Sequence, residues 1–273
     1  MTALDPRWHE NLAAALAALE TPDFAPALIH ALAGVAEFDF SVIFGYRGEA
    51  RPIDLYDNFP TGRRDVFVAD YQAGPYLLDP FYHASRDRVP SGLHRMRELA
   101  PDRFYQSQYY RSYYAKTGLA EEIGFFLSPS QDLTVVISLM RDGHRTIFPA
   151  REMNRLQMVA PVVIAAAERN WRALEAEPAS SIDAKGRAEK GALPSGLDLA
   201  KLFDAFGQRP LTRREREVGA LVLRGHSSEA IARQLKIAPG TVKIHRKNIY
   251  AKLGIASQAE LFSLFLSSLA GKG

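Results

Sequence analysis

The stretch "TVKIHRKNIYAKLG", Thr241 to Gly254, places Val242, Ile249 and Leu253 at spacings of seven and four. That is the period of one α-helical face, so the stretch reads as a helix whose apolar stripe packs on its own domain. Lys243, His245, Arg246, Lys247 and Asn248 fall off the stripe and are expected to face largely outward. A helix fits the major groove of B-DNA, where Lys and Arg meet guanine acceptors and Asn meets adenine. His245 has two readings, a DNA contact or a packed ring.

The neighbouring segments support a helix-turn-helix. "LTRREREVGALVLRG" opens with a capping box, Thr212 toward the Glu215 N–H and Glu215 reaching back. Val218, Leu221 and Val222 form its apolar face, and Gly225 is placed to end it. In "HSSEAIARQLKI", Ser227 is the N-cap, and Ile231 and Leu235 sit at i, i+4. Pro239 suits the first position of the following helix. Two short helices joined by a tight turn, the second of them basic, form this motif. A fourth helix, "SQAELFSLFLSSLA", begins near Ser257. Some of its apolar residues cover the domain's own core, and the rest can pair with a second copy.

"LTRREREVGALVLRG", "IARQLKI" and "TVKIHRKNIYAKLGI" with "AEL" closely resemble the C-terminal domain of LuxR-type transcriptional regulators. The likeness covers roughly 60 residues with several motifs in order, which makes it specific. It implies a four-helix domain that reads double-stranded DNA as a homodimer, on a two-fold symmetric operator. By position it carries over a DNA-approaching role to Thr241, Lys243, Ile244, His245 and Lys247. Arg246 and Asn248 are added from the outward face. The resemblance also favours dimerisation through Leu261, Leu264 and Phe265. Gly219, Ala230, Ala238 and Gln258 depart from the family's usual residues. Ala230 in particular leaves Ser227 without a capping-box partner.

Charge separates this end from the rest. The chain has 273 residues and a net charge of +3, yet residues 208–273 hold 12 Lys and Arg against 4 Asp and Glu. A basic module beside an acidic remainder suggests a polyanionic partner. From Glu175, "EAEPASSIDAKGRAEKGALPS" is too poor in apolar residues to offset its ordering entropy and reads as a linker. "GLDLAKLFDAF" adds a short helix. The expected division is therefore a sensor domain over 1–174, a linker over 175–207 and the DNA-binding domain over 208–273.

Residues 1–174 read as helices at Arg7–Glu20, with Leu12, Leu16 and Leu19 on one face, and at Phe24–Ala36. "FSVIFGYRG" with "PIDLYDN", and "LAEEIGFFLS" with "LTVVISLMR", read as two strand pairs. Helical pieces are expected over Thr61–Gly74 and Pro101–Thr117, and a long helix from Pro149 with a kink at Pro161. The expected fold class is α+β: an N-terminal αβα sandwich on an antiparallel sheet, PAS- or GAF-like, followed by an all-α four-helix domain.

The order of these elements resembles the ligand-binding domain of LuxR-type quorum-sensing receptors. "YLLDPFYHASRD" matches their acidic "DP" segment, which implies that Asp79 accepts a hydrogen bond from a signal's amide. Asp79 can equally cap a helix starting at Pro80. Those receptors also carry a Trp followed four residues later by a Tyr. Here Val66 or Phe67 stands in place of the Trp, and Tyr71 approximates the Tyr. In "FYQSQYYRSYYAKTG", Phe104 and Tyr105 begin an aromatic series that suits a pocket, an interface or a core, as does Tyr82. The candidate ligand set is thus Tyr71, Asp79, Tyr82, Phe104 and Tyr105, and the effector is a small metabolite. The alternatives are an acyl-homoserine lactone receptor and a ligand-independent dimeric regulator.

The sequence lacks a Gly-rich phosphate loop, a nucleophile elbow and paired His at metal-ligand spacing. We therefore expect no catalytic residues, no metal and no cofactor. Absence of Cys fits a reducing compartment, and no apolar run is long enough to span a bilayer, so the expectation is a cytoplasmic protein without membrane contact.

Overall fold

The computed structural model describes residues 6–176 and 211–269. The linker expected over 175–207 and its short helix fall almost wholly outside these residues. The first part begins with α1 (Arg7–Ala17) and α2 (Phe24–Ala33). Strands β1 (Phe40–Arg47) and β2 (Ile53–Asp57) follow. After short helical turns come α3 (Pro80–Arg86), β3 (Gly92–Arg95), α4 (Met96–Leu99) and α5 (Gln108–Ser112). Strands β4 (Leu119–Leu127) and β5 (Leu133–Asp142) lead into α6 (Ala150–Trp171). The second part holds α7 (Arg213–Arg224), α8 (Ser228–Leu235), α9 (Pro239–Leu253) and α10 (Gln258–Leu269).

The five strands form one antiparallel sheet in the order β2-β1-β5-β4-β3. β5 lies at its centre, with Ile137 opposite Ile43 on one side and Phe125 on the other. Ile43, Ile123, Phe125, Val135, Ile137 and Leu139 join α1, α2 and α6 in one core. Within it, Phe24 meets Trp171 edge-on with ring centroids 5.6 Å apart. Val42, Phe44, Phe126, Val136 and Met140, of the opposite parity, are also buried. A sheet covered on both sides reads as continuous apolar runs, which is why β1, β4 and β5 were legible.

Contacts divide the described residues into two units. The first comprises 6–68, 84–99 and 118–176; the second comprises 69–83, 100–117 and 211–269.

Several expectations need correction. The buried side of α1 is built on Trp8 and Ala15, with Leu12 and Leu19 partly buried against the same core, while Leu16 is 40% exposed. The segment 61–74 contains a π-helix over Asp65–Asp70, and 101–117 is broken into two 3-10 turns around α5. Strand β3 was not anticipated. Its four residues, Gly92–Arg95, lack an apolar alternation, and Arg95 is buried by hydrogen-bonding Glu121 and the Phe148 carbonyl. α6 continues through Pro161.

Candidate nucleic-acid interface

α7 to α10 obey local rules. Thr212 Oγ1 accepts from the Glu215 amide (3.3 Å), and Glu215 Oε2 accepts from the Thr212 amide (2.7 Å), closing the capping box. The same Glu215 oxygen takes a bond from Lys252 Nζ at 2.7 Å, tying the start of α7 to the end of α9. Burial alone would raise the Glu215 pKa. Its bonds with Lys252 and Thr212 outweigh this and hold it below the ordinary carboxylate value. Gly225 ends α7 at φ 99°, a left-handed conformation that costs a side-chain-bearing residue. Ser227 Oγ caps α8 by accepting from the Ala230 amide at 3.0 Å. Pro239 occupies the first turn of α9. At Gln258, the amide side chain donates to the Val222 carbonyl at 3.1 Å and so fastens α10 to α7.

The stripe of α9 is buried at Val242 and Ile249 and half-buried at Leu253. Lys243, Ile244, Lys247 and Asn248 are exposed, Ile244 to 60%. Thr241 is half-buried. His245 and Arg246, expected to face outward, are half-buried as well, because they flank the stripe. Arg246 Nη2 donates to the Tyr250 hydroxyl at 3.3 Å. His245 Nδ1 has no hydrogen-bond partner among the described residues. Neither Lys243 nor Lys247 has an ion pair there. On α10, Leu261 and Phe265 are fully buried inside the unit together with Phe262. That corrects their expected place at a dimer face: they close the core over α7. Of the three, only Leu264 reaches the surface, beside Leu266, which is 38% exposed.

The second unit also holds the carboxylate site. Asp79 Oδ1 accepts from the amides of Phe81 (2.6 Å) and Tyr82 (3.2 Å), so it caps α3. Its Oδ2 accepts from the Tyr109 hydroxyl at 3.2 Å. Burial dominates these bonds and pushes the Asp79 pKa up to about 6. Tyr71, Tyr82 and Phe104 are buried nearby in sequence and space: Tyr76 meets Tyr71 at 6.2 Å and Tyr82 at 5.1 Å, and Phe104 meets Tyr109 at 5.9 Å. Tyr105 is 53% exposed and meets Tyr110 edge-on, which corrects its placement among pocket residues. It belongs to the turn Phe104–Gln106, before α5 starts, and so does not share a helical face with Tyr109. Tyr109, part of the same aromatic series but outside the candidate ligand set, is the side chain that reaches Asp79.

The segment before α5 meets the turn between α7 and α8. The Arg103 amide donates to the Gly225 carbonyl at 3.0 Å, and Asp102 Oδ1 accepts from the Ser227 amide at 3.0 Å. No sequence pattern points to these two contacts.

Residues 209–265 match the model of the bacterial regulatory proteins of the luxR family. A putative HTH-type transcriptional regulator from the exeN 3' region of Aeromonas salmonicida is 36% identical over 191 residues, covering 70% of this chain and 94% of that protein. This chain belongs to the LuxR family of bacterial transcriptional regulators. Like its relatives, this LuxR-family chain is a DNA-binding regulator and not an enzyme. The transcriptional regulatory protein UhpA of Salmonella typhimurium is 41% identical over 64 residues, 23% of this chain and 33% of UhpA. The solved VqsR LBD domain of Pseudomonas aeruginosa matches with a TM-score of 0.54 and 26% identity, covering 64% of this chain and all of that one. The LuxR-family regulator thus joins a helix-turn-helix to an antiparallel-sheet domain of the VqsR LBD kind. Among its described residues no helix is long and apolar enough to cross a membrane.

Proposed function

We propose that this LuxR-family regulator is ligand-responsive, with a sensor over 1–174 governing a DNA-binding domain over 208–273. The effector is a small metabolite carrying a hydrogen-bond donor, and Asp79 is its acceptor, with Tyr71, Tyr82 and Phe104 as apolar neighbours. The state of the Asp79 carboxylate carries this reading. It is 6% exposed, and its pKa is pushed up to about 6. A carboxylate offers about four acceptor positions, and the amides of Phe81 and Tyr82 with the Tyr109 hydroxyl occupy three. A buried acceptor with capacity left is costly until a ligand's N–H or O–H fills it. The VqsR domain's name marks it as an LBD, which supports the same assignment.

On the DNA side, Lys243 and Lys247 contact phosphates or guanines. Thr241, Ile244 and Asn248 face the groove, and His245 and Arg246 sit at its edge. The protein acts in the cytoplasm as a homodimer on a two-fold operator, pairing through the surface of α10 at Leu264. Ligand binding changes DNA affinity only through differential affinity for two arrangements of the protein.

Purified protein is heated with a metabolite library. A ligand at 100 times its dissociation constant stabilises by about 2.7 kcal/mol, and Asp79→Asn weakens that shift for amide-bearing compounds. A library that shifts nothing refutes ligand control and leaves a ligand-independent regulator. Unaltered DNA retention by Lys243→Ala and Lys247→Ala in a gel-shift assay refutes the DNA contacts.

A further inference from the structure

Within the second unit, one groove is lined by Arg103 together with Lys243, Arg246, Lys247, Tyr250 and Glu229. Three of its four cations belong to α9. The fourth lies more than 100 positions earlier, in the segment that precedes α5. The backbone holds Arg103 there through the bond of its amide to the Gly225 carbonyl. The adjacent Asp102 carboxylate grips the Ser227 amide. Burial raises the Asp102 pKa, but the side-chain and backbone bonds of Ser227, with His226 nearby, hold it below the ordinary value. That residue therefore stays ionised and keeps its grip at neutral pH.

The packing at this place is close. A Cβ at Gly225 would lie 3.1 Å from both Phe104 Cα and Ser107 Cβ. The Arg103 side chain is exposed. Like Lys243 and Lys247, it has no hydrogen bond or ion pair among the described residues. Four cations and one carboxylate share the groove, so their mutual repulsion is not relieved internally. A polyanion relieves it, and a duplex presents one negative charge per about 1.7 Å of its axis.

The geometry points to Arg103 as a further DNA-backbone contact, supplied from outside the helix-turn-helix. Arg103 is beyond the segment matched by the luxR-family model, which begins at residue 209. Its guanidinium suits the two oxygens of one phosphate. The turn of α7 and α8 fixes its backbone at the edge of the groove that α9 lines. This inference rests on the proposed DNA contacts of Lys243 and Lys247, and its test separates the two.

Full-length protein is titrated onto a fluorescent mixed-sequence duplex at salt concentrations from about 50 to 200 mM. Each phosphate contact contributes about 0.9 to the slope of log K against log salt. Arg103→Gln is expected to reduce that slope by about 0.9 and to weaken binding several-fold at the lowest salt, with an unchanged thermal midpoint. Arg103→Lys restores most of the slope. A wild-type slope for Arg103→Gln beside a reduced slope for Lys247→Ala overturns this inference and leaves the α9 contacts standing. Wild-type slopes for both overturn the α9 contacts as well.

Discussion

Replacing Asp79 with Asn is expected to stabilise the ligand-free protein, by an amount that depends on pH. The folded chain holds the Asp79 proton with a pKa of about 6, against an ordinary value of 3.8. Folding thus opposes ionisation of this group. Between those two values the folded state binds more protons than the unfolded chain, so stability falls as pH rises through the window. The penalty is absent below 3.8 and complete above about 6. With about 1.4 kcal/mol per pH unit, the full penalty is about 3 kcal/mol, and about half of it is already present at pH 5.

Asn keeps the shape and the cap. Its oxygen can accept from the Phe81 and Tyr82 amides as Asp79 Oδ1 does, and its amide can donate to the Tyr109 hydroxyl. It carries no charge to bury. The advantage of Asp79→Asn over wild type should therefore grow by roughly 1–2 kcal/mol between about pH 5 and about pH 8. For a chain of this size that corresponds to a relative shift in thermal midpoint of roughly 3–6 °C. The measurement is a pair of melting curves at each pH, so that other pH effects cancel. An advantage that is the same at both values would refute the claim that a strained carboxylate sits in this site.

Gly225→Ala should destabilise by about 2 kcal/mol, since Ala must adopt a left-handed conformation while its methyl meets Phe104 and Ser107; a chemical-denaturation midpoint equal to wild type would contradict this. Glu215→Gln should cost about 1–2 kcal/mol at neutral pH through loss of the Lys252 charge pair. Because the folded Glu215 pKa is depressed, that cost is complete above its ordinary 4.5 and is lost only as pH falls on through the lower folded value, so paired melting curves at about pH 7 and at successive values below 4.5 would show it shrinking. Leu266→Glu should shift sedimentation toward monomer with little change in melting temperature, whereas Leu261→Glu, at a fully buried position, should unfold the second unit.

What could be read in advance follows the range of the interaction that fixes it. The capping box at Thr212, the left-handed Gly225, the Ser227 cap and the Val242–Ile249 stripe each depend on residues within two turns, and all were legible. β1 and β5 were legible because both faces are buried. The 101–117 segment was not: its tyrosines are apolar on every side, so periodicity does not say where α5 begins, and the breaks at Gln106–Ser107 and Tyr113 appear only in the structure. β3 depends on Arg95 finding Glu121, 26 residues away. At the candidate sites, Asp79 came from a family motif, but its donor Tyr109 lies 30 positions on. The Asp102–Ser227 bond spans 125 positions and leaves no local signature.

The same distinction bears on control. Phe104 is fully buried, its ring meets Tyr109, and its Cα lies against the place where Gly225 would carry a side chain. The donor to Asp79 and the turn of the helix-turn-helix therefore share one packed residue. Contiguity of this kind is not coupling: a bias travels only if the shared element has two arrangements that both sites favour unequally. Close packing supplies the condition for that, because a residue whose ring meets Tyr109 and whose backbone lies against Gly225 cannot yield gradually and must either keep its place or leave it. If it leaves when Asp79 gains a ligand, the exchange is reciprocal, and DNA must alter ligand affinity by the same factor as ligand alters DNA affinity. A coupling factor in Phe104→Leu unchanged from wild type would place the switch elsewhere; its decline toward one would place it in this residue.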